Sequence, residues 1–169
     1  ILKRYALFYV LQGKYEQALP FYERAIAEFE NKAISLSESQ HHFDFVALLT
    51  GIADIYYNQG HYQQALPFYE RAFLLAEEAS KTSKRTDPPV IIARTLNNLA
   101  GVNRALKNYD KAESLYLEVL IRWQSIQYNE KTKQYASNLM NEPERSYTLY
   151  SLAELYREQE KYALAKATY

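Results

Sequence analysis

The chain has no cysteine, only four glycines, one tryptophan, one methionine and three histidines. Without cysteine there is neither a disulfide framework nor a thiolate metal site. So few glycines leave little room for a phosphate-cradling loop or a nucleophile elbow, and no HExxH segment occurs. His41 and His42 are adjacent, so on a helix they point about 100° apart, and His61 falls in a turn; none of this makes a metal site. Charge of one sign is also lacking, because twenty basic residues balance twenty acidic ones. No overall field draws the protein to nucleic acid or to an anionic membrane, so partners must be selected locally. No run approaches the roughly 18 apolar residues of a membrane span, and Ile1-Leu2-Lys3-Arg4 is patterned like a helix interior rather than a secretory signal. The expectation is a cytoplasmic protein that is no enzyme and holds no cofactor, cut from something longer.

What is abundant is tyrosine, with seventeen copies, and internal repetition. The nine residues QALPFYERA occur unchanged from Gln17 to Ala25 and from Gln64 to Ala72. In the same register, the segments Gly13-Lys14-Tyr15, Gly60-His61-Tyr62, Lys107-Asn108-Tyr109 and Glu160-Lys161-Tyr162 align with spacings of 47, 47 and 53. Before each turn stands one set: Leu2, Tyr5, Ala6, Tyr9; Leu49, Ile52, Ala53, Tyr56; Leu96, Leu99, Ala100, Asn103; and Leu149, Leu152, Ala153, Tyr156. After it stands another: Tyr15, Ala18, Tyr22, Ala25; Tyr62, Ala65, Tyr69, Ala72; Tyr109, Ala112, Tyr116, Val119; and Tyr162, Ala165, Tyr169. Steps of three and four trace one face of an α-helix. Each unit is therefore a helix, a turn and a second helix. Alanine columns let two antiparallel helices approach closely, and tyrosine and leucine fill the space around them. One pair cannot cover its apolar face alone; stacked pairs do.

These columns resemble the tetratricopeptide repeat (TPR) pattern of small, Gly-x-Tyr, Ala and aromatic residues. The resemblance covers nearly the whole chain. The segment from Thr95 to Leu120, TLNNLAGVNRALKNYDKAESLYLEVL, is most similar to repeats of kinesin light chains and related bacterial proteins. It implies an all-α fold, an αα-hairpin solenoid wound as a right-handed superhelix of about four repeats, the last incomplete. The sequence pattern gives one domain over 1–169, with units near 1–40, 41–86, 87–142 and 143–169. The 47-residue period exceeds the usual 34, and the surplus follows each second helix. Ala27 to Ser39 and Leu74 to Lys84 keep helix-forming composition, which predicts long second helices rather than long loops. Asp87-Pro88-Pro89 breaks the chain before the third unit, and Gln127 to Glu142 is expected to be an irregular connection. Pro20 and Pro67 are expected near the starts of their helices, where a missing amide hydrogen costs least. Asn103 and Lys107, replacing the usual Tyr and Gly, predict looser packing in the third unit.

Seventeen tyrosines could suggest stacking platforms for nucleic acid. Twelve of them sit in the repeat columns and are expected in the core; Tyr57, Tyr128, Tyr135, Tyr147 and Tyr150 fall outside. In TPR proteins the first helices line the concave face. The resemblance therefore implies a module that binds a protein or extended peptide there, and the alternative is a structural, self-assembling or regulatory solenoid segment attached to another domain. The candidate contacts on that face are Arg94, Asn97, Asn98, Arg104, Arg157, Tyr57, Tyr147 and Tyr150. Arginine and tyrosine are enriched at interface hot spots, and guanidinium groups favour carboxylates, so the ligand is expected to be acidic; the alternative is that Glu154, Glu158 and Asp54 pair with the arginines within the chain and neutralise the patch. Asn98 corresponds to the asparagine with which kinesin light chain repeats hold a peptide backbone. The family's clamp for a terminal carboxylate needs asparagines where this chain has Leu7 and Gly51. Gly51 and Gly101 lie inside helices, at a cost of about 1 kcal/mol each relative to alanine, which suggests close approach of a ligand backbone. No polar cap closes either end of the repeat array, which predicts end-to-end self-association.

Overall fold

The computed structural model describes residues 1–33, 39–82, 88–129, 134–135 and 142–169. Within them the apolar columns form helices α1 (Leu2–Leu11), α2 (Tyr15–Ala33), α3 (Ser39–Asn58), α4 (Tyr62–Thr82), α5 (Pro88–Ala105), α6 (Tyr109–Gln127), α7 (Glu142–Glu158) and α8 (Tyr162–Thr168). They form two compact units, Ile1–Pro88 and Pro89–Tyr169, each with its own core. One feature departs from the helical expectation: Tyr128–Asn129 and Gln134–Tyr135 pair as a two-residue antiparallel ladder. It lies in the stretch expected to be irregular, whose residues 130–133 and 136–141 are outside the described part.

Every first helix ends in the same way. The amide of Lys14 donates to the carbonyl of Tyr9, and that of Gly13 to Val10. His61 to Tyr56 with Gly60 to Tyr57, Asn108 to Asn103 with Lys107 to Arg104, and Lys161 to Tyr156 with Glu160 to Arg157 repeat it. This paired closure satisfies carbonyls that a helix end leaves bare, and it needs a left-handed residue. Gly13 and Gly60 supply one at φ of 70° and 77°; Lys107 and Glu160 take it at 62° and 60°.

The alanine columns sit where helices meet. Ala6, Ala18, Ala53, Ala65, Ala100, Ala112 and Ala153 are fully buried. In the second unit Ala100, Ala112, Tyr116, Leu152, Leu155, Tyr156 and Ala165 form one cluster joining α5 to α8. Asn103 does not loosen it. It is wholly buried, its Nδ2 donates to the Leu99 carbonyl at 2.7 Å, and its Oδ1 accepts from Asn108 at 3.4 Å. Of the column tyrosines, Tyr5, Tyr162 and Tyr169 are more than half exposed. Tyr5 stands on α1, Tyr162 begins α8 and Tyr169 caps its end.

The surplus residues lengthen both helices of a pair, not the second alone. α2, α4 and α6 run for 19, 21 and 19 residues, while α3 extends back to Ser39 and spans 20. The added turns pack: Phe29 stacks on Phe45 at 5.0 Å, and Arg71 lies 4.9 Å above the Phe45 ring while pairing with Glu30 at 2.8 Å. Pro20 and Pro67 are inside their helices rather than at the first position. Both are exposed, as are Glu16 and Gln63 four residues earlier, so the carbonyls left without an amide partner open to water.

Candidate functional site

In the second unit the two first helices, α5 and α7, are linked by a polar ladder. At one end Arg94 pairs with Glu144 at 3.0 Å. Next, the Asn97 amide donates to the Thr148 hydroxyl at 2.9 Å, and that hydroxyl donates to the Glu144 carbonyl at 2.8 Å. Farther along, Arg104 donates to the Ser151 carbonyl at 3.3 Å and lies 3.7 Å from Glu158. Asn97 and Thr148 are buried, so their hydrogen bond fixes the spacing of α5 and α7 where an unmade bond would be costly.

Asn97 thus holds the two helices together from inside, and Asn98 beside it is half-buried. Arg94, Tyr147, Tyr150 and Arg157 are exposed. Arg157 pairs with Glu154 at 2.5 Å, and the Tyr169 hydroxyl also donates to Glu154. The Tyr169 hydrogen bond and then the Arg157 guanidinium hold the Glu154 carboxyl below its usual range. The Tyr150 ring lies 6.0 Å from that of Tyr169. Behind this surface Tyr156 donates to Glu113 at 2.9 Å, and Lys161 reaches the same carboxylate at 3.7 Å. Burial and then Glu113 push the Tyr156 hydroxyl up to about 12.

Seven of the eight candidate residues therefore share α5 and α7. The eighth, Tyr57, belongs to α3 in the first unit, where it is half-buried with its ring 5.2 Å from Tyr62. Two features of α3 differ from the sequence reading. Gly51 is not a place left open for a ligand backbone: a Cβ there would lie 2.5 Å from Cε1 of Tyr22, a buried ring carried by α2. Asp54, on the same helix, accepts a hydrogen bond from the Tyr69 hydroxyl at 2.5 Å. Burial raises the Asp54 carboxyl despite that bond, and burial together with Asp54 raises the Tyr22 hydroxyl.

Thr148, Ser151, Glu144, Glu154 and Glu158 complete the surface; of these, sequence reasoning missed Thr148 and Glu144. Glu154 and Glu158 are the acids the sequence offers as partners for the arginines, and both pair with one, Glu154 with Arg157 at i,i+3 spacing and Glu158 with Arg104. Among the described residues no group of three or more His, Asp or Glu could hold a metal ion, and no helix is long and apolar enough to cross a membrane.

Three family models, each described as a tetratricopeptide repeat, match residues 2–32, 46–79 and 92–126. No curated protein matches the chain. Solved structures similar to it include BtubC (BKLC) from P. vanneervenii, at 16% identity and a TM-score of 0.63, with 91% of this chain and 54% of that one covered. Another is a putative kinesin light chain from Podosopora anserina with nearly identical TPR-like repeats, at 21% identity and a TM-score of 0.69, covering 99% and 69%. The apo form of RapI matches at 18% identity and a TM-score of 0.70, covering 99% and 51%. The chain thus spans about half the length of the first and the last of these. Likeness at such identities establishes the fold, an all-helical array of stacked αα-hairpins.

Proposed function

We propose that this chain, which belongs to the tetratricopeptide repeat family, is a protein-protein interaction module whose partner segment lies along the face formed by α5 and α7. The supporting observation is a rigid base with a free rim: a buried Asn97–Thr148 bond sets the helix spacing, while Tyr147 and Tyr150 remain 56% and 57% exposed beside Arg94 and Arg157. Exposed aromatic and arginine side chains on a preorganised base lose little freedom when a partner arrives. Tyr147 and Tyr150 contribute area, and half-buried Asn98 offers its amide to a ligand's backbone.

An acidic partner remains the favoured chemistry, with a condition set by the ion pairs. Arg94, Arg104 and Arg157 each face a glutamate already. Exposed pairs are worth about 0–1 kcal/mol, so a ligand carboxylate exchanges with Glu144 or Glu154 at small cost. Arg104, less exposed and bound also to a carbonyl, stays as scaffold.

The test begins with peptides selected from a random display library on the intact chain, with affinities read by fluorescence anisotropy. Replacing Tyr147 and Tyr150 together with alanine weakens binding at least tenfold, or about 1.4 kcal/mol, with helicity by circular dichroism unchanged. Undiminished binding by that variant, with loss on replacing Leu117 and Ile121 of α6, moves the site to the second helices and overturns the proposal.

A further inference from the structure

Asp54 and Glu154 occupy the same column of their first helices, and each accepts a hydrogen bond from the tyrosine fifteen residues later, Tyr69 and Tyr169. Their electrical settings are opposite. Glu154 has the Arg157 guanidinium against it and titrates below its usual range. Asp54 has no basic side chain paired with it among the described residues; its polar neighbours are the hydroxyls of Tyr69 and Tyr22. Tyr69 steadies the carboxylate with one donated hydrogen bond but brings no positive charge. Burial accordingly wins over the Tyr69 bond and raises the carboxyl. A carboxylate kept partly out of water with no cation is a cost that the fold does not recover by itself. Such uncompensated groups concentrate where a ligand completes them.

The surroundings suit one kind of completion. Asp54 is only part-buried, so its remaining lone pairs can be reached from solvent. Tyr57 lies three residues on, on the same side of α3, and is half-exposed. An anion beside aromatic rings favours a cation, which gains from the carboxylate and from the ring faces together. The missing group at the matching position of the second unit is an arginine supplied by the chain itself, Arg157; its counterpart in α3 would be Tyr57, which carries no charge.

We propose that Asp54, flanked by Tyr22, Tyr57 and Tyr69, is a subsite for a cationic group, the ammonium of a lysine or the guanidinium of an arginine in a bound protein segment. It rests on the reading of this chain as a protein-binding module and adds to it a basic requirement at the first unit, distinct from the acidic preference at α5 and α7. Asp54 supplies the charge, Tyr69 orients the carboxylate by its hydrogen bond, and Tyr57 closes on the apolar stem of the incoming side chain.

The intact chain is titrated with N-acetyl-lysine methylamide, N-acetyl-arginine methylamide and the neutral N-acetyl-norleucine methylamide, followed by NMR of the Asp54 carboxyl and the tyrosine rings. The two cations are expected to shift the Asp54, Tyr57 and Tyr69 signals and to bind at least fivefold more tightly than norleucine. Asp54→Asn, which keeps the acceptor for Tyr69, abolishes that preference. Equal shifts with all three probes, no shift up to the solubility limit, or a preference that survives Asp54→Asn overturns the subsite. The display-selected peptides separate the two readings. Peptides that bind but show no enrichment in lysine or arginine and no loss with Asp54→Asn overturn the subsite and leave the module standing, whereas failure to select any peptide overturns both.

Discussion

The ring of Tyr22 fills the space that a side chain at position 51 would need, with Cε1 2.5 Å from the site of a Cβ. Tyr22 is only 5% exposed, so the ring has no vacancy to swing into. Alanine would gain about 1 kcal/mol of helix propensity over glycine, but overpacking costs roughly 1–3 kcal/mol. Gly51→Ala should therefore destabilise the chain by about 1 kcal/mol in urea unfolding; a gain in stability would mean the ring is free to move. Asp54 gives a second residue-level test. Its folded pKa lies above the ordinary 3.8, so the folded state binds a proton more readily than the unfolded one. The contribution from this group is complete below the unfolded value and is lost as pH rises through the raised folded value. Above the raised value the loss is complete, and there Asp54→Asn should raise the thermal midpoint. The advantage should shrink as pH falls through the raised value and vanish below 3.8; an advantage that is constant with pH contradicts the assignment. Gly51 was legible as a glycine inside a helix and Asp54 as a candidate partner for an arginine, but the ring against the one and the tyrosine hydroxyl on the other were not. A sequence shows that glycine interrupts a helix, but not which ring from the preceding helix occupies the gap.

At the scale of helices and turns, the paired closing bonds are made four times, and the left-handed position that they need is glycine only in the first two. Lys107 and Glu160 hold that conformation at a cost of about 1–2 kcal/mol each, partly offset by the smaller entropy they lose on folding. Lys107→Gly and Glu160→Gly should each stabilise the second unit by about 0.5–1 kcal/mol, read as a rise in the unfolding midpoint. No gain from either would show that the side chain makes a compensating contact. The position of all four turns was readable because a Tyr two residues after the left-handed residue begins each second helix. The third unit's tightness was not. Replacement of Tyr by Asn103 removes volume, yet the amide finds a partner in its own helix at Leu99 and another at Asn108, and those partners depend on backbone geometry. The surplus of each repeat was likewise placed on the second helix, because composition marks helix without saying which neighbour it joins; Phe29 and Phe45 packing together shares the extra turns between α2 and α3.

Across the whole chain, the fold was legible because alanine and tyrosine recur at helical spacing, and the fully buried column alanines are where that spacing put the helix contacts. The binding surface was less so. Arg94, Arg104, Arg157, Tyr147 and Tyr150 do gather on α5 and α7, but their charges are answered by Glu144, Glu158 and Glu154, two of which belong to a different helix from the arginine they meet. Pairing across helices depends on register between elements, which no single helical wheel contains. The claim that α5 and α7 carry the partner is tested most directly by amide hydrogen exchange of the chain with and without a selected peptide. The account predicts added protection in residues 94–104 and 147–157, with the outer positions Leu117 and Ile121 of α6 unchanged. Protection confined to α6 and α8, with α5 and α7 exchanging as in the free protein, would contradict it.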